Sequence, residues 1–263
     1  MQSSAYAFIY DEILNDQRFE RELAEIEARL TALDIQGRVG RLALFRNAKD
    51  LIDSMVHQGV NTIVIVGDDQ SFDKTIWFLP DLNITVGYLP ITGPSRIAEL
   101  LGIPTGADAC DVLAARLIET IDLGKIEDRY FLTEAVMRNT VATVDIEGRF
   151  RISASAGGSV AIRNLGSMLF ESQELSDAKD GLLEVIVTPL DDKRAKWRKG
   201  SDQAKETKMF MTHGEIISPA PIDVMIDRHM VNGFNFKLKA VPNKLRIITG
   251  RGRRLTSGRV EKI

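Results

Sequence analysis

The chain predicts an α/β protein. An N-terminal parallel-sheet domain over 1–123 precedes a mostly antiparallel, β-rich domain over 124–263. Three observations carry this expectation. Short apolar runs alternate with amphipathic stretches through the first half, the rhythm of strand–helix–strand units with right-handed crossovers. The run TIVIVG is apolar at nearly every position, as a strand covered on both faces must be. After Gly124 the texture changes to short alternating segments with no long helical pattern.

The elements follow in order. AYAFIY, from Ala5 to Tyr10, reads as a buried first strand. Phe19, Leu23, Ile26, Leu30 and Leu33 alternate steps of four and three, which places them on one face of a helix with acidic residues on the other. Gly37 and Gly40 bracket the start of a second strand, RLALF, and Asn47 is positioned to cap a helix that stops at Gly59. TIVIVG should then lie near the sheet centre. A short helix from Ser71, a strand from Ile84 to Leu89, and helices over Ile97–Leu101 and Val112–Ile121 complete the first domain. Beyond it, VATVDI and RFRISA flank a tight turn at Glu147 and Gly148. SVAIRNL, LLEVIVTP, IDVMI, FKLKAV and KLRIIT read as further short strands. The charged stretch Lys193 to Lys208 reads as a loop or mobile excursion, and the basic end, GRGRRLTSGRVEKI, as a solvated, partly frayed tail, the alternative being contact with anionic lipid or a phosphate.

Bulk composition narrows the function classes. At 263 residues and 44% apolar, the chain can fill a core, and a net charge of −3 argues against a basic nucleic-acid binder. The start lacks a secretory pattern and no apolar run reaches the ~20 residues of a membrane helix. A cytoplasmic location is expected, in agreement with the single cysteine, Cys110, which sits in an expected helix as a packing residue. His57, His213 and His229 are too widely spaced for a zinc site.

In a parallel α/β sheet, ligands bind beyond the carboxyl ends of the strands. Here that edge carries Gly67, Asp68, Asp69, Gln70 and Ser71. On local chemistry alone these are a strand end with Ser71 as a helix N-cap, because adjacent acids repel a phosphate.

The order of elements adds a second reading. TIVIVGDDQS, then YLPITGPSRIAELLGIP, then ETIDLGKIEDRYFLTEA resembles the diacylglycerol kinase catalytic family, which includes sphingosine kinases and shares its fold with NAD kinases. The likeness spans roughly residues 5 to 250. Gly67 matches the first glycine of the family's glycine-glycine-aspartate-glycine-threonine strand end, Asp69 its aspartate and Ser71 its threonine. Pro90, Ala98 and the Leu101–Pro104 stretch match the second motif. There Thr92, Gly93, Ser95 and Arg96 replace glycine, threonine, asparagine and aspartate. Asp68 and Gln70 also stand at glycine positions, and the loop from Asp11 to Asp16 has no glycine.

The resemblance implies a nucleotide-binding first domain that takes ATP with Mg²⁺ through Gly67, Asp69, Ser71, Thr92 and Gly93. It implies a lipid acceptor at a membrane surface, with a homodimer left open. It places Asp177, Asp180 and the Leu182 carbonyl where some bacterial members hold a structural Mg²⁺; two carboxylates on a loop that only turn the chain are the alternative. It sets Asp227 at the general-base position, with Arg228 and His229 replacing glycine and glutamate; a solvated aspartate in a β-turn is the equal alternative. The leading expectation is ATP-dependent phosphorylation of a lipid hydroxyl. The alternatives are a catalytically impaired relative acting as a ligand- or partner-binding module, and NAD phosphorylation.

Overall fold

A computed structural model describes residues 6–42, 48–91, 93–138, 141–153, 158–168, 175–189 and 206–256. The chain forms two compact units, one from the residues up to Ile121 with Asn243–Leu255, the other from Asp122–Pro242.

The first unit runs β1 (Tyr6–Tyr10), α1 (Glu20–Ala32), β2 (Gly37–Arg41), α2 (Ala48–His57), β3 (Thr62–Gly67), α3 (Asp69–Ile76), β4 (Thr85–Pro90), α4 (Arg96–Leu101) and α5 (Ala109–Ala115). Its sheet is parallel in the order β2–β1–β3–β4, extended by a parallel pairing of Arg246 and Ile247 with Thr85 and Val86. β3 is therefore central, as its uniform apolarity predicts, and all six of its residues are buried. The register pairs Tyr10 with Val66, Val66 with Leu89 and Gly67 with Pro90. The carboxyl ends of β1, β3 and β4 thus finish flush on one edge. Ile26 and Leu30 of α1 are buried, as the spacing requires.

Four local expectations are corrected. β2 begins at Gly37, so Gly37 and Gly40 lie inside it. A Cβ on Gly37 would stand 2.8 Å from both the Phe8 ring and the Tyr6 carbonyl oxygen, so close packing selects this glycine, whereas one on Gly40 would first meet the side-chain ends of Met55, Ile9 and Leu51. RLALF beyond Leu42 and the Asn47 cap lie outside the described residues. The helix expected from Ser71 starts at Asp69 with Asp68 as its cap. The helix expected to Ile121 ends at Ala115, because Arg116 turns left-handed at φ 49° and a strand begins at Ile118. The basic end is not a free tail over its described part. The Gly250 and Arg254 amides donate to the Leu101 and Leu100 carbonyls, Arg253 pairs with Glu119 at 2.5 Å, and Leu255 is buried. A Cβ on Gly250 would meet the Gly102 carbonyl, so glycine alone allows this docking against α4.

The second unit contains β5 (Ile118–Ile126, which enters it from the first unit), β6 (Arg129–Phe131), β7 (Glu134–Met137), β8 (Thr143–Ile146) and β9 (Phe150–Ser153). There follow β10 (Ser159–Arg163), β11 (Leu183–Thr188), β12 (Thr207–Met211), β13 (His213–Ile226) and β14 (His229–Ile248). The order is β12–β11–β10–β7–β13–β14, with each of these pairings among β7 and β10–β13, and of β13 with β14, antiparallel. β8 and β9 form the expected hairpin, with Glu147 at φ 56° and Gly148 at φ 66° in its turn. FKLKAV and KLRIIT, expected as two strands, are one strand that continues through Pro242 and Asn243. Thr207 and Lys208, read as the end of the charged loop, open β12 (Thr207–Met211); residues 190–205 before it lie outside the described residues. The core gathers Phe131, Ile146, Ile162, Val185, Ile216 and Phe236, the inward members of alternating strands. No described helix is long and apolar enough to cross a membrane.

Candidate functional site

The flush edge of the first unit brings Gly67, Asp69 and Ser71 together. Asp68 caps α3: its carboxylate accepts from the Ser71 amide at 2.8 Å, and the Ser71 hydroxyl donates to the same oxygen at 2.8 Å. The Asp68 amide in turn donates to that hydroxyl at 3.3 Å, a reciprocal capping box. Ser71 is therefore the third residue of the helix and not its cap. A Cβ on Gly67 would lie 2.5 Å from the Ser71 hydroxyl, so the glycine is there to let Ser71 close the box.

Asp69 is buried and engaged on both oxygens. Oδ1 accepts from the Tyr88 hydroxyl at 3.1 Å and from the Ser95 hydroxyl. Oδ2 accepts from the Arg96 amide at 2.8 Å and the Ile97 amide at 3.4 Å. Ser95 also caps α4 through the Ala98 amide. Asp69 thus ties the end of β3 to the start of α4, a negative charge at a helix N-terminus. Burial raises the Tyr88 pKa; the Ser95 hydroxyl opposes this, and Asp68 and Asp73 add to it. Asp11 is buried on the same edge, with Lys74 3.8 Å from its carboxylate. Gly93 adopts φ 39° with open space where a Cβ would sit, while Thr92 lies outside the described residues. Arg96, where the resemblance expects an acid, is fully buried and pairs with Glu99 at 2.8 Å.

Asp227 belongs to the second unit. It occupies the turn between β13 and β14 at φ 49°, a left-handed conformation that aspartate tolerates. It is 4% exposed, which rules out the solvated-turn alternative. Oδ1 accepts from the Thr133 amide at 2.9 Å, the Glu134 amide at 3.1 Å and the Thr133 hydroxyl; Oδ2 accepts from the Leu132 amide at 3.0 Å. Burial raises the Asp227 pKa, with the Thr133 hydroxyl and the three amides pulling against it.

Asp227 lines a cavity of about 580 Å³, with Val136, Met168, Met225 and Met230 as its apolar wall. Glu134, Arg138, Asp223 and Arg228 supply its polar side. Behind it Glu134 and Arg163 form a buried ion pair at 3.3 Å, and Glu134 also accepts from Ser167 and the Met168 amide, each at 2.9 Å. Sequence reasoning passed over Glu134 and Arg163; an acid inside the apolar run FLTEAVM was the available signal. The Asp177 and Asp180 carboxylates each accept an amide two residues on, from Lys179 at 3.0 Å and Leu182 at 2.9 Å. Among the described residues no three His, Cys, Asp or Glu side chains gather to hold a metal.

No family model matches this sequence, and no curated protein matches it. Solved structures do. Three chains from Bacillus anthracis str. Sterne, one described as a diacylglycerol kinase and two as provisional diacylglycerol kinases, superpose with TM-scores of 0.75, 0.76 and 0.73. Each match covers 95% of this chain and 98–99% of the other, at 14% identity. A parallel first unit and a mostly antiparallel second one, in this order and over nearly the whole chain, are the fold of the diacylglycerol kinases.

Proposed function

We propose that this protein transfers phosphate from ATP to the hydroxyl of a lipid such as diacylglycerol. The observation that carries the reading is Asp227 in the wall of a methionine-rich cavity. An acyl chain fits an adaptable apolar wall, and a hydroxyl needs a carboxylate to accept its proton. Asp227 is suited to that role by the asymmetry of its bonds. Three donors hold Oδ1, whereas the Leu132 amide alone is recorded on Oδ2. Glu134, on the next strand, helps to hold Asp227 through its amide.

The nucleotide is assigned to the edge formed by β1, β3 and β4, beside Gly67 and Gly93, with Thr92 included on resemblance alone. Asp69 and Ser71 shape that edge, since their side chains are already bonded within the protein. Asp11, Asp68 and Asp69 make the edge acidic, so a bare polyphosphate would be repelled there and Mg²⁺ arriving with the nucleotide would offset part of that charge. Mg²⁺ bound there would screen the phosphate charge. A structural Mg²⁺ in the Asp177–Leu182 loop rests on resemblance alone, since each carboxylate there accepts an amide two residues on as in an ordinary turn.

The test is phosphate transfer from labelled ATP to diacylglycerol in mixed micelles, with Mg²⁺ titrated. Asp227→Asn should lower turnover about a hundredfold or more and leave ATP affinity nearly unchanged. A second reading, an impaired relative that only binds lipid, is favoured by the Asp68 capping box, which uses the Ser71 amide that a phosphate would need. Wild-type protein that binds lipid yet phosphorylates neither lipid nor NAD would establish that reading instead.

A further inference from the structure

We infer that Asn164 is a positioning residue for Asp227: it clamps, from the far side, the peptides whose N–H groups hold the Asp227 carboxylate. This rests on the proposal that Asp227 is the base. Asn164 follows the last residue of β10, is fully buried, and does not line the cavity. Its side-chain nitrogen donates to the Leu132 carbonyl at 2.9 Å and to the Asp122 carbonyl at 3.0 Å. Two carbonyl oxygens can be met only by the NH₂ end of the amide, so the partners fix its orientation. The backbone repeats the pattern, with the Asn164 and Leu165 amides donating to the Thr133 carbonyl at 2.8 and 3.3 Å.

Asp227 lies at the other end of the same peptides. The Leu132 carbonyl and the Thr133 amide belong to one peptide, the Thr133 carbonyl and the Glu134 amide to the next. A trans peptide points its carbonyl and its N–H in opposite directions. Each therefore has Asn164 or Leu165 on its oxygen and Asp227 Oδ1 on its hydrogen, at 2.9 Å from the Thr133 nitrogen and 3.1 Å from that of Glu134. Asp227 closes the arrangement by donating its own amide to the Glu134 carbonyl at 2.8 Å. A carbonyl that accepts a bond makes the N–H of its own peptide a better donor. Asn164 thus aims these two amides and strengthens them from behind the wall. Weaker donors would let burial raise the Asp227 pKa further. The charged and titratable groups about Asp227 are Glu134 and Arg138 of β7, Asp223 of β13, Arg228 of the turn and His229 of β14. Substituting Asn164 removes none of them, so a shift in such a variant reports the clamp.

Carbon-13 NMR of the aspartate carboxyls in the full chain tests this, the Asp227 signal being the one lost in Asp227→Asn. Asn164→Ser should move the Asp227 titration to higher pH. Thr133→Val, which removes a direct donor to Oδ1, should move it further in the same direction. In the diacylglycerol assay Asn164→Ser should lower turnover per folded molecule about tenfold and shift its acidic limb upward, with KM for diacylglycerol held within about twofold. In the wild type, where folding is not at issue, the Asn164 side-chain nitrogen signal should follow the Asp227 titration, and Asp227→Asn should abolish that movement. An unchanged Asp227 titration in folded Asn164→Ser, or a wild-type Asn164 signal indifferent to Asp227, overturns the inference and leaves Asn164 as a tie between strands. A raised KM at unchanged turnover also overturns it. Wild type that phosphorylates no lipid overturns Asp227 as the base, and the NMR readings then decide the clamp by themselves.

Discussion

Two buried aspartates, one in each unit, show how the same local chemistry can serve different ends. Asp69 and Asp227 are each 4% exposed, and each accepts at least four hydrogen bonds from its own unit. At least two donors reach each oxygen of Asp69, and one of them, Ser95, is itself the cap of α4. Its carboxylate is a joint. Asp227 has three donors on one oxygen and one on the other, and it borders a cavity. The difference teaches that burial and saturation do not identify a working group. Asp227 borders a space that a ligand can enter, and that is the ground for the role proposed above.

The largest effect should come from the support behind the Asp227 cavity. Arg163→Met leaves Glu134 as a buried charge without its cation, and should cost about 3–5 kcal/mol in urea unfolding. Converting both residues to apolar ones should recover most of that loss, because the charges are removed together. If Arg163→Met is neutral, the cavity wall does not depend on this pair, and the contrast between the two sites weakens.

Next, the aspartates themselves should separate by readout. Asp69→Ala strands two amides and two hydroxyls and should lower stability by about 3 kcal/mol. Any change in turnover should follow the loss of folded protein. Asp227→Asn should act on turnover per folded molecule. A variant series in which Asp69→Asn lowers turnover at unchanged stability, while Asp227→Asn does not, would reverse the assignment.

A smaller change tests the capping box. Asp68→Ala should cost about 1 kcal/mol, the usual loss of a helix cap, while freeing the Ser71 amide. Improved ATP affinity in this variant would mean that the cap competes with phosphate.

The smallest effect compares how closed the two units are. Cys110 of α5 is fully buried, and burial pushes its thiol up to about 11. At pH 8 roughly one molecule in a thousand then carries a thiolate, so alkylation should be negligible until the protein unfolds. Because the folded pKa is raised, this group's contribution to stability is complete below the unfolded thiol's pKa. It is lost as pH rises through about 11. Met230, by contrast, should be oxidised by dilute peroxide in the folded protein. Rapid alkylation of Cys110 at pH 8 would show that the first unit opens more readily than its packing implies.

Much of this was legible in the residues. The parallel first half followed from strand–helix alternation, and the centrality of β3 from its unbroken apolar run, because period and hydrophobicity are local properties. The Glu147–Gly148 hairpin was read from its turn residues for the same reason. The order of motifs pointed to the diacylglycerol kinase fold although 14% identity leaves few residues in common with the solved structures.

The rest was decided in three dimensions. No local signal returns Asn243–Leu255 to the first unit or docks Gly250 against Gly102. Gly37 and Gly40 were read as bracketing the start of a strand, and only the packing around Gly37, against Phe8 and Tyr6 of the neighbouring strand, explains why a glycine stands inside it. Asp69 looked like a nucleotide ligand until its four donors, three of them 26 to 28 residues away, came into place. Asp227 was undecided between solvent and chemistry, because its burial depends on Leu132–Glu134, more than 90 residues earlier. Periodicity and turn chemistry are written in consecutive residues. Which donors meet a given carboxylate, and whether a cavity lies beside it, depends on segments that only folding brings together.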